Sequence, residues 1–199
     1  MRPQQNPPPD VAKRAESDLK TESRRYKVIT PLFGGGVTPG EADPITVVRA
    51  TEVRGHLRFW WRATRGGQFN GNLAAMKRRE DEIWGSAASE GQPGPSRLTV
   101  AVQPHRRGSD LTTIDGNPIG DPRSPYSYVA FPLRADERKP AGKVVQGVEF
   151  TLTLRFPAAD ATEVAAALWA WQTFGGIGAR TRRGFGALQC IEIDGKAIA

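Results

Sequence analysis

The chain has 199 residues, 38% of them hydrophobic and 25% charged, so it is long enough to form one domain with a buried core. Its 28 lysines and arginines against 21 aspartates and glutamates give a net charge of +7, which favours a polyanionic partner: nucleic acid first, an acidic protein or membrane surface second. The single cysteine, Cys190, excludes an intramolecular disulfide and a cysteine-based metal site, and no stretch approaches the roughly 20 apolar residues of a membrane span.

The first 24 residues are polar and begin with a proline-rich stretch, which predicts a flexible lead-in before a single domain over residues 25–199. They lack the apolar core of a secretion signal, and with the lone cysteine this favours a reducing cytoplasm. Alternation around Tyr26 and Val28 predicts the first strand over residues 25–33.

The middle of the chain predicts helices and then strands. A helix begins near Thr51, is interrupted at Gly66 and Gly67, and is followed by a further helical stretch that ends at Gly85. Strands are predicted over 96–104, 126–133 and 148–156, with a long loop or loose hairpin at about 104–125 that is rich in glycine, proline and aspartate.

A further helix is predicted from Asp160 as N-cap, with Glu163 completing a capping-box-like pair. It stops at Gly175, a last strand covers 186–193, and the buried helix face is Val164, Leu168 and Trp171. The order β-α-β-β-α-β, with an elaborated middle insertion, predicts the α+β class and a ferredoxin-like fold, in which two helices cover one face of an antiparallel sheet.

The segment "FGGIGARTRRGFGAL", residues 174–188, holds five glycines and three arginines. It lacks the Gly-Lys-Ser/Thr of a P-loop, and Thr181 stands where a dinucleotide fingerprint needs glycine. A glycine-rich backbone with bare N–H groups favours the close approach of an extended phosphate chain, whereas the alternative is a turn with solvated arginines. The candidate ligand-binding residues of this glycine loop are Gly175, Gly176, Gly178, Arg180, Thr181, Arg182 and Arg183.

Four arginines recur along the first helix within about 80° of arc: Arg54, Arg58, Arg62 and Arg65. Only Glu52 lies nearby to relieve their repulsion, which suggests compensation by a bound polyanion; a solvated face is the alternative. Trp61 lies beside them and could stack on a base. The face toward the sheet is predicted as Val53, Leu57, Trp60 and Thr64, and Phe59 is also expected in the core.

Signals for catalysis are weak. His56 lies on the helix with the arginines and could act as a general base, although a phosphate contact or a packing role is the simpler interpretation. His105 lies in a basic loop. No spacing typical of metal ligands is present, and no cofactor is expected. Loop aspartates usually shape turns, and those of the middle loop are Asp110, Asp115 and Asp121.

Three segments, "ITPLFGGG", "VRATEVRGHLRFWWRA" and "FGGIGARTRRGFGAL", closely resemble the signature segments of the RAMP superfamily. More narrowly, they look like those of the first subunits of Cmr effector complexes in type III-B CRISPR systems. The resemblance implies a ferredoxin-like core of the RRM type. It also implies a non-catalytic, RNA-binding subunit of a cytoplasmic ribonucleoprotein that serves antiviral defence, with guide (CRISPR) RNA, target RNA and other RAMP subunits as partners.

In that family the subunit caps the complex near the 3′ end of the guide, and target cutting belongs to another subunit. Carried over to this chain, the RNA-backbone surface comprises the helix arginines and the glycine loop. The turn at Gly34, Gly35 and Gly36 is expected close by, with His56 as a secondary contact. Family members are often longer and carry a second RAMP-like half, so contacts of that half are not carried over.

Two alternatives stay open from the sequence. One is a RAMP-fold endoribonuclease that acts on CRISPR or target RNA through His56 or a loop aspartate. The other is a basic scaffold that binds acidic neighbouring subunits. The sequence leaves undecided which subunits the chain docks on, the balance of guide and target contacts, the ordering of residues 1–24, and the role of the 104–125 loop.

Overall fold

A computed structural model describes residues 18–37, 43–86, 95–135, 137 and 141–198. Short 3-10 turns occur at Gly66–Phe69, Phe131–Leu133, Ala158–Asp160 and Thr181–Arg183. The helices and strands follow in the order β1 (Leu19–Val28), α1 (Ala50–Arg65), α2 (Leu73–Trp84), β2 (Thr99–Asp110), β3 (Val145–Pro157), α3 (Ala161–Phe174), β4 (Leu188–Ile193) and β5 (Lys196–Ala197).

The strands form one antiparallel sheet in the order β2-β3-β1-β4-β5. The first and last long strands, β1 and β4, are neighbours, and β3 lies between β1 and β2, as the split βαβ arrangement requires. The predicted α+β, ferredoxin-like fold is therefore confirmed. The helix α2 is additional to the two helices of that arrangement; it follows α1 and stops at Gly85, as predicted.

The core lies between the helices and one face of the sheet. Along β3 every second side chain from Val148 to Phe156 is buried, which is the period of a strand with one covered face. The helices supply three fully buried aromatic or branched residues from α1 and a matching set from α3: Val53, Leu57, Trp61, Val164, Leu168 and Trp171. None of the helices that the structure describes is long and apolar enough to cross a membrane.

Strand boundaries differ from the predictions at two places. β1 begins at Leu19 rather than at residue 25, because residues 19–24 pair with residues 152–157 of β3; the predicted flexible lead-in is therefore wrong for these six residues, and residues 1–17 lie outside the described residues. β2 continues to Asp110 instead of giving way to a loop at 104, since a shift in register after Pro104 lets the strand go on pairing with β3.

The predicted strand over 126–133 is wrong. Its backbone forms turns, with the Ala130 N–H donating to the Tyr126 carbonyl at 2.9 Å, and ends in the 3-10 helix Phe131–Leu133. Two residues of this stretch, Ala130 and Leu133, are buried in a second, smaller core with Phe33 and Phe185. The stretch therefore packs over the glycine loop, through Phe185 and the partly buried Ala179, instead of joining the sheet.

The start of α3 is predicted correctly in position but not in contacts. Asp160 occupies the N-cap without capping through its side chain, and its carboxylate instead accepts a hydrogen bond from Arg79 at 2.7 Å. Glu163 bonds to α1 rather than closing a capping box. The helix ends at Gly175, as predicted.

Candidate nucleic-acid interface

Three segments meet at the start of α1: the helix itself, the turn at 33–36 and the glycine loop. Glu52 joins two of them, because its Oε1 accepts a hydrogen bond from the Gly178 N–H at 2.7 Å. The Ala179 N–H donates to the Phe33 carbonyl at 2.8 Å, and Arg49 Nε donates to the Gly35 carbonyl at 2.5 Å. The glycine turn therefore lies against the glycine loop, as expected from the resemblance.

Much of the backbone of the glycine loop is committed to contacts within the protein. The Ile177 N–H donates to the Gly186 carbonyl and the Gly186 N–H to the Pro31 carbonyl, both at 2.9 Å. Trp171 Nε1 donates to the Gly176 carbonyl at 2.8 Å. The prediction that the loop offers bare N–H groups to a phosphate is therefore wrong for Ile177, Gly178, Ala179 and Gly186.

The glycines allow close packing around this backbone. A Cβ on Gly175 would lie 2.5 Å from Trp60 Nε1, and one on Gly176 would lie 2.6 Å from the Gly186 carbonyl oxygen. The absence of a side chain at these positions lets the loop sit directly on the end of α3. The loop is a closely packed support for the side chains that follow it.

Those side chains are the three arginines of the glycine loop. Thr181–Arg183 form a 3-10 turn, in which Arg182 and Arg183 are exposed and Thr181 is half-buried. Arg180 is half-buried, and its guanidinium lies 5.0 Å from the centre of the Phe131 ring, within the range of a cation–π contact. Within the described part of the chain, no carboxylate forms an ion pair with any of the three.

The arginine row of α1 is compensated within the protein, contrary to the prediction. Arg58 Nε donates to Glu80 Oε1 at 2.8 Å, and Arg62 forms an ion pair with the same oxygen. Arg65 Nη2 lies 2.9 Å from Glu163 Oε1. The sequence around α1 shows only its own acids, whereas these carboxylates come from α2 and α3.

Arg54 differs from the rest of the row. None of the described residues forms an ion pair with it, and its Nε is buried without a hydrogen-bond acceptor. It lies half a turn after Glu52, at the end of α1 that meets the glycine loop. Arg54 therefore remains a candidate ligand for an anion.

Trp61 cannot stack on a base, because its side chain is fully buried. Its Nε1 donates to Glu163 Oε2 at 2.7 Å, so the ring belongs to the contact between α1 and α3. Of the residues predicted to face the sheet, Trp60 is half-buried and Thr64 is exposed. Phe59, which was expected in the core, is also exposed. The predicted buried face is confirmed at Val53 and Leu57, but it continues at Trp61 rather than at Trp60 and Thr64.

Glu163 is the polar centre of that helix contact. Burial would raise the pKa of its carboxyl, but hydrogen bonds from Arg65 and Trp61 outweigh burial and hold the pKa below its ordinary value of 4.5. The same bond raises the pKa of Arg65. Arg65 and Trp61 therefore act in holding α1 on α3.

The candidate catalytic groups are dispersed. His56 does have a carboxylate neighbour that the sequence did not suggest, since its Nε2 lies 3.8 Å from Glu52 Oε1, but that oxygen already accepts the Gly178 N–H. His105 lies on β2 and contacts Thr151 Oγ1 at 2.7 Å. No group of three or more histidine, cysteine, aspartate or glutamate side chains within the described ranges could hold a metal ion.

The loop aspartates are separate from one another. Asp110 lies 3.5 Å from Lys143, and Asp121 holds Arg123 at 3.1 Å. The hydrogen bonds from Arg123 lower the pKa of Asp121. Asp115 is exposed in a turn closed by a hydrogen bond from the Gly116 N–H to the Thr113 carbonyl.

Two aromatic residues missed by the sequence reasoning lie beside the loop arginines. Tyr128 and Phe131, from the stretch mistaken for a strand, line a cavity together with Arg180, Arg182 and Arg183. The signal that could have found them is the aromatic content of "YSYVAF", which the sequence reasoning assigned to a strand.

Fold and site together define a class: a ferredoxin-like α+β protein with an arginine-bearing glycine loop before its last long strand. The model of the RAMP superfamily matches residues 25–189, and the chain belongs to the RAMP superfamily.

Two curated relatives come from Pyrococcus furiosus. The CRISPR system Cmr subunit Cmr1-1 is 24% identical over 152 residues, which are 76% of this chain and 43% of that protein. The CRISPR system Cmr subunit Cmr1-2 is 28% identical over an alignment of 185 positions that covers 82% of this chain and 91% of that protein. The predicted resemblance to the first subunits of Cmr complexes is confirmed.

Solved structures show the same fold. The apo crystal structure of Cmr1 from Pyrococcus furiosus aligns with a TM-score of 0.66 at 22% identity, over 88% of this chain and 50% of that chain. A chain of the cryo-EM structure of the type III-B Cmr-beta complex bound to cognate target RNA aligns with a TM-score of 0.53 at 16% identity, over 88% and 60%. This chain thus spans about half the length of the crystallised relative and 43% of the first curated one.

Proposed function

We propose that this chain is an RNA-binding subunit of a type III-B CRISPR ribonucleoprotein and that its glycine loop holds the phosphate backbone of the RNA. The observation that carries this proposal is the trio Arg180, Arg182 and Arg183, which stands on a closely packed loop and has no carboxylate partner among the described residues. Arginine is suited to phosphate because its planar guanidinium donates two parallel hydrogen bonds. Arg54 extends the surface along α1.

The contrast with α1 supports this choice of arginines. Three arginines of α1 form ion pairs with buried carboxylates: Arg58, Arg62 and Arg65. The surface available to an anion is therefore smaller than the arginine row suggests. Backbone contacts of this kind carry no sequence information. A subunit that accepts any guide sequence needs such contacts. We further propose that the chain lies near the 3′ end of the guide, in contact with other Cmr subunits, as the family resemblance implies.

The test is fluorescence anisotropy of labelled single-stranded RNA at several salt concentrations. Arg182→Ala/Arg183→Ala should weaken binding and reduce the slope of log K against log salt by roughly 1.4, about 0.7 per lost phosphate contact. The matched control is Arg78→Ala/Arg155→Ala, which removes the same charge from two exposed arginines on α2 and β3. Equal effects of the two double variants would mean that only net charge matters and would overturn the site.

A ribonuclease is the alternative function, and the pair of His56 and Glu52 is the observation that favours it. The same samples on a denaturing gel separate the two. Intact RNA with salt-sensitive binding supports the proposed subunit. Cleaved RNA, with cutting lost in His56→Ala while binding survives, supports the enzyme.

A further inference from the structure

A cavity of about 560 Å³ opens beside the glycine loop, within the roughly 300–1,000 Å³ usual for small-ligand sites. The described residues that line it come from two segments: Tyr128 and Phe131 from the stretch between β2 and β3, and the three loop arginines. Two aromatic rings and three cations are a composition that fits a base and a phosphate together.

The two segments are held in place by the second core. Phe33 and Phe185 meet edge to face with their ring centres 5.0 Å apart, and Ala130 and Leu133 are buried against the same cluster. Tyr128 and Phe131 flank this buried anchor but point away from it, and they are 74% and 55% exposed. The rings are therefore presented to solvent by a backbone that is itself fixed.

Arg180 joins the two parts of the cavity. Its backbone adopts the left-handed conformation with φ 56°, and its guanidinium lies over the Phe131 ring at 5.0 Å. Its Nε is buried and has no hydrogen-bond acceptor among the described residues. A buried donor favours an acceptor close by, and a phosphate in the cavity would supply one.

We infer that this cavity is a subsite for one unpaired nucleotide of the RNA, whose base stacks on Tyr128 while its phosphate contacts Arg182 and Arg183. The inference rests on the proposed function and deepens it. A base within a duplex has both faces covered by its neighbours, so only an unpaired, splayed-out base can cover an exposed ring. Stacking tolerates any base, which agrees with a protein that must accept variable RNA sequences.

The deciding variant is Tyr128→Ala, because this ring is largely exposed and its removal leaves Arg180 in place. Phe131→Leu is a second variant that also removes the partner of the Arg180 guanidinium. Trp169→Ala, which removes an exposed aromatic residue from α3, is the matched control. Each is titrated with three probes: single-stranded RNA, a blunt RNA duplex of the same length, and inorganic polyphosphate, which has phosphates but no bases.

Tyr128→Ala should bind single-stranded RNA about tenfold more weakly while its affinities for duplex and polyphosphate stay within about twofold of wild type. Trp169→Ala should match wild type with all three. Unchanged single-strand affinity in Tyr128→Ala, or equal weakening with all three probes, would overturn the inference. If Arg182→Ala/Arg183→Ala still weakens RNA binding in that case, the proposed function stands; if it has no effect either, the proposed function fails as well.

Discussion

Gly178→Ala tests whether the glycine loop is packed as tightly as its contacts imply. Gly178 has φ +84°, and a Cβ there would lie 2.6 Å from the Phe33 carbonyl oxygen, a backbone atom that cannot rotate away. The left-handed conformation costs an L-residue about 1–2 kcal/mol, and the forced contact adds about 1–3 kcal/mol. The free energy of unfolding should therefore fall by about 2–5 kcal/mol, and Tm by 2–4 °C for each kcal/mol in a chain of about this size.

Gly184→Ala is the matched control. Gly184 has nearly the same backbone conformation, φ +87°, but a Cβ there would meet no atom within 4 Å. Its substitution should cost only the conformational part, about 1–2 kcal/mol. Thermal and urea unfolding followed by circular dichroism measure both variants, and equal destabilisation of the two would refute the close approach of the loop to Phe33.

Two further predictions concern the charges between the helices. Arg58→Ala should lower the free energy of unfolding in urea by about 2 kcal/mol, because Glu80 loses one of its two arginine partners in a buried site. Its RNA affinity, measured by anisotropy, should change less than twofold. Arg54→Ala should show the opposite pattern, with weaker RNA binding and little change in the free energy of unfolding. Because the folded pKa of Glu163 lies below 4.5, the carboxylate stabilises the fold above that pH and the gain is lost as pH falls through the folded value. The stability gap between wild type and Glu163→Gln should therefore shrink from about pH 6 to about pH 3, and a constant gap would contradict the contact with Arg65.

The fold could be predicted because its signals are local. Strand alternation at Val148–Phe156 and the helix stop at Gly175 depend on neighbouring residues, and both are found in the structure. The same reasoning failed at residues 126–133, where Ala130 and Leu133 are buried in a second core rather than in the sheet and the aromatic residues are exposed. Aromatic and apolar content is typical of strands and of segments that pack on a second core, so composition alone could not separate the two.

The candidate site was only partly predictable, because charge compensation is a tertiary property. Arg58 and Arg62 were expected to be free, yet their partner Glu80 lies on the next helix and reaches them only in the folded chain. Trp61 was expected beside the arginines on the surface, but its side chain is buried. One residue turns a helix by 100°, which is enough to move a side chain from the surface to the core. The arginines of the glycine loop remain the candidates that both the sequence and the packing support.

The most direct test of the account is photocrosslinking of RNA that carries 4-thiouridine, with the attached peptides mapped by mass spectrometry. The account predicts that crosslinks concentrate in the glycine loop, in the peptide that contains residues 180–183, and disappear at high salt. Crosslinks confined to α2 or to the outer face of the sheet, with the loop unmarked, would contradict the claim that these arginines hold the RNA backbone.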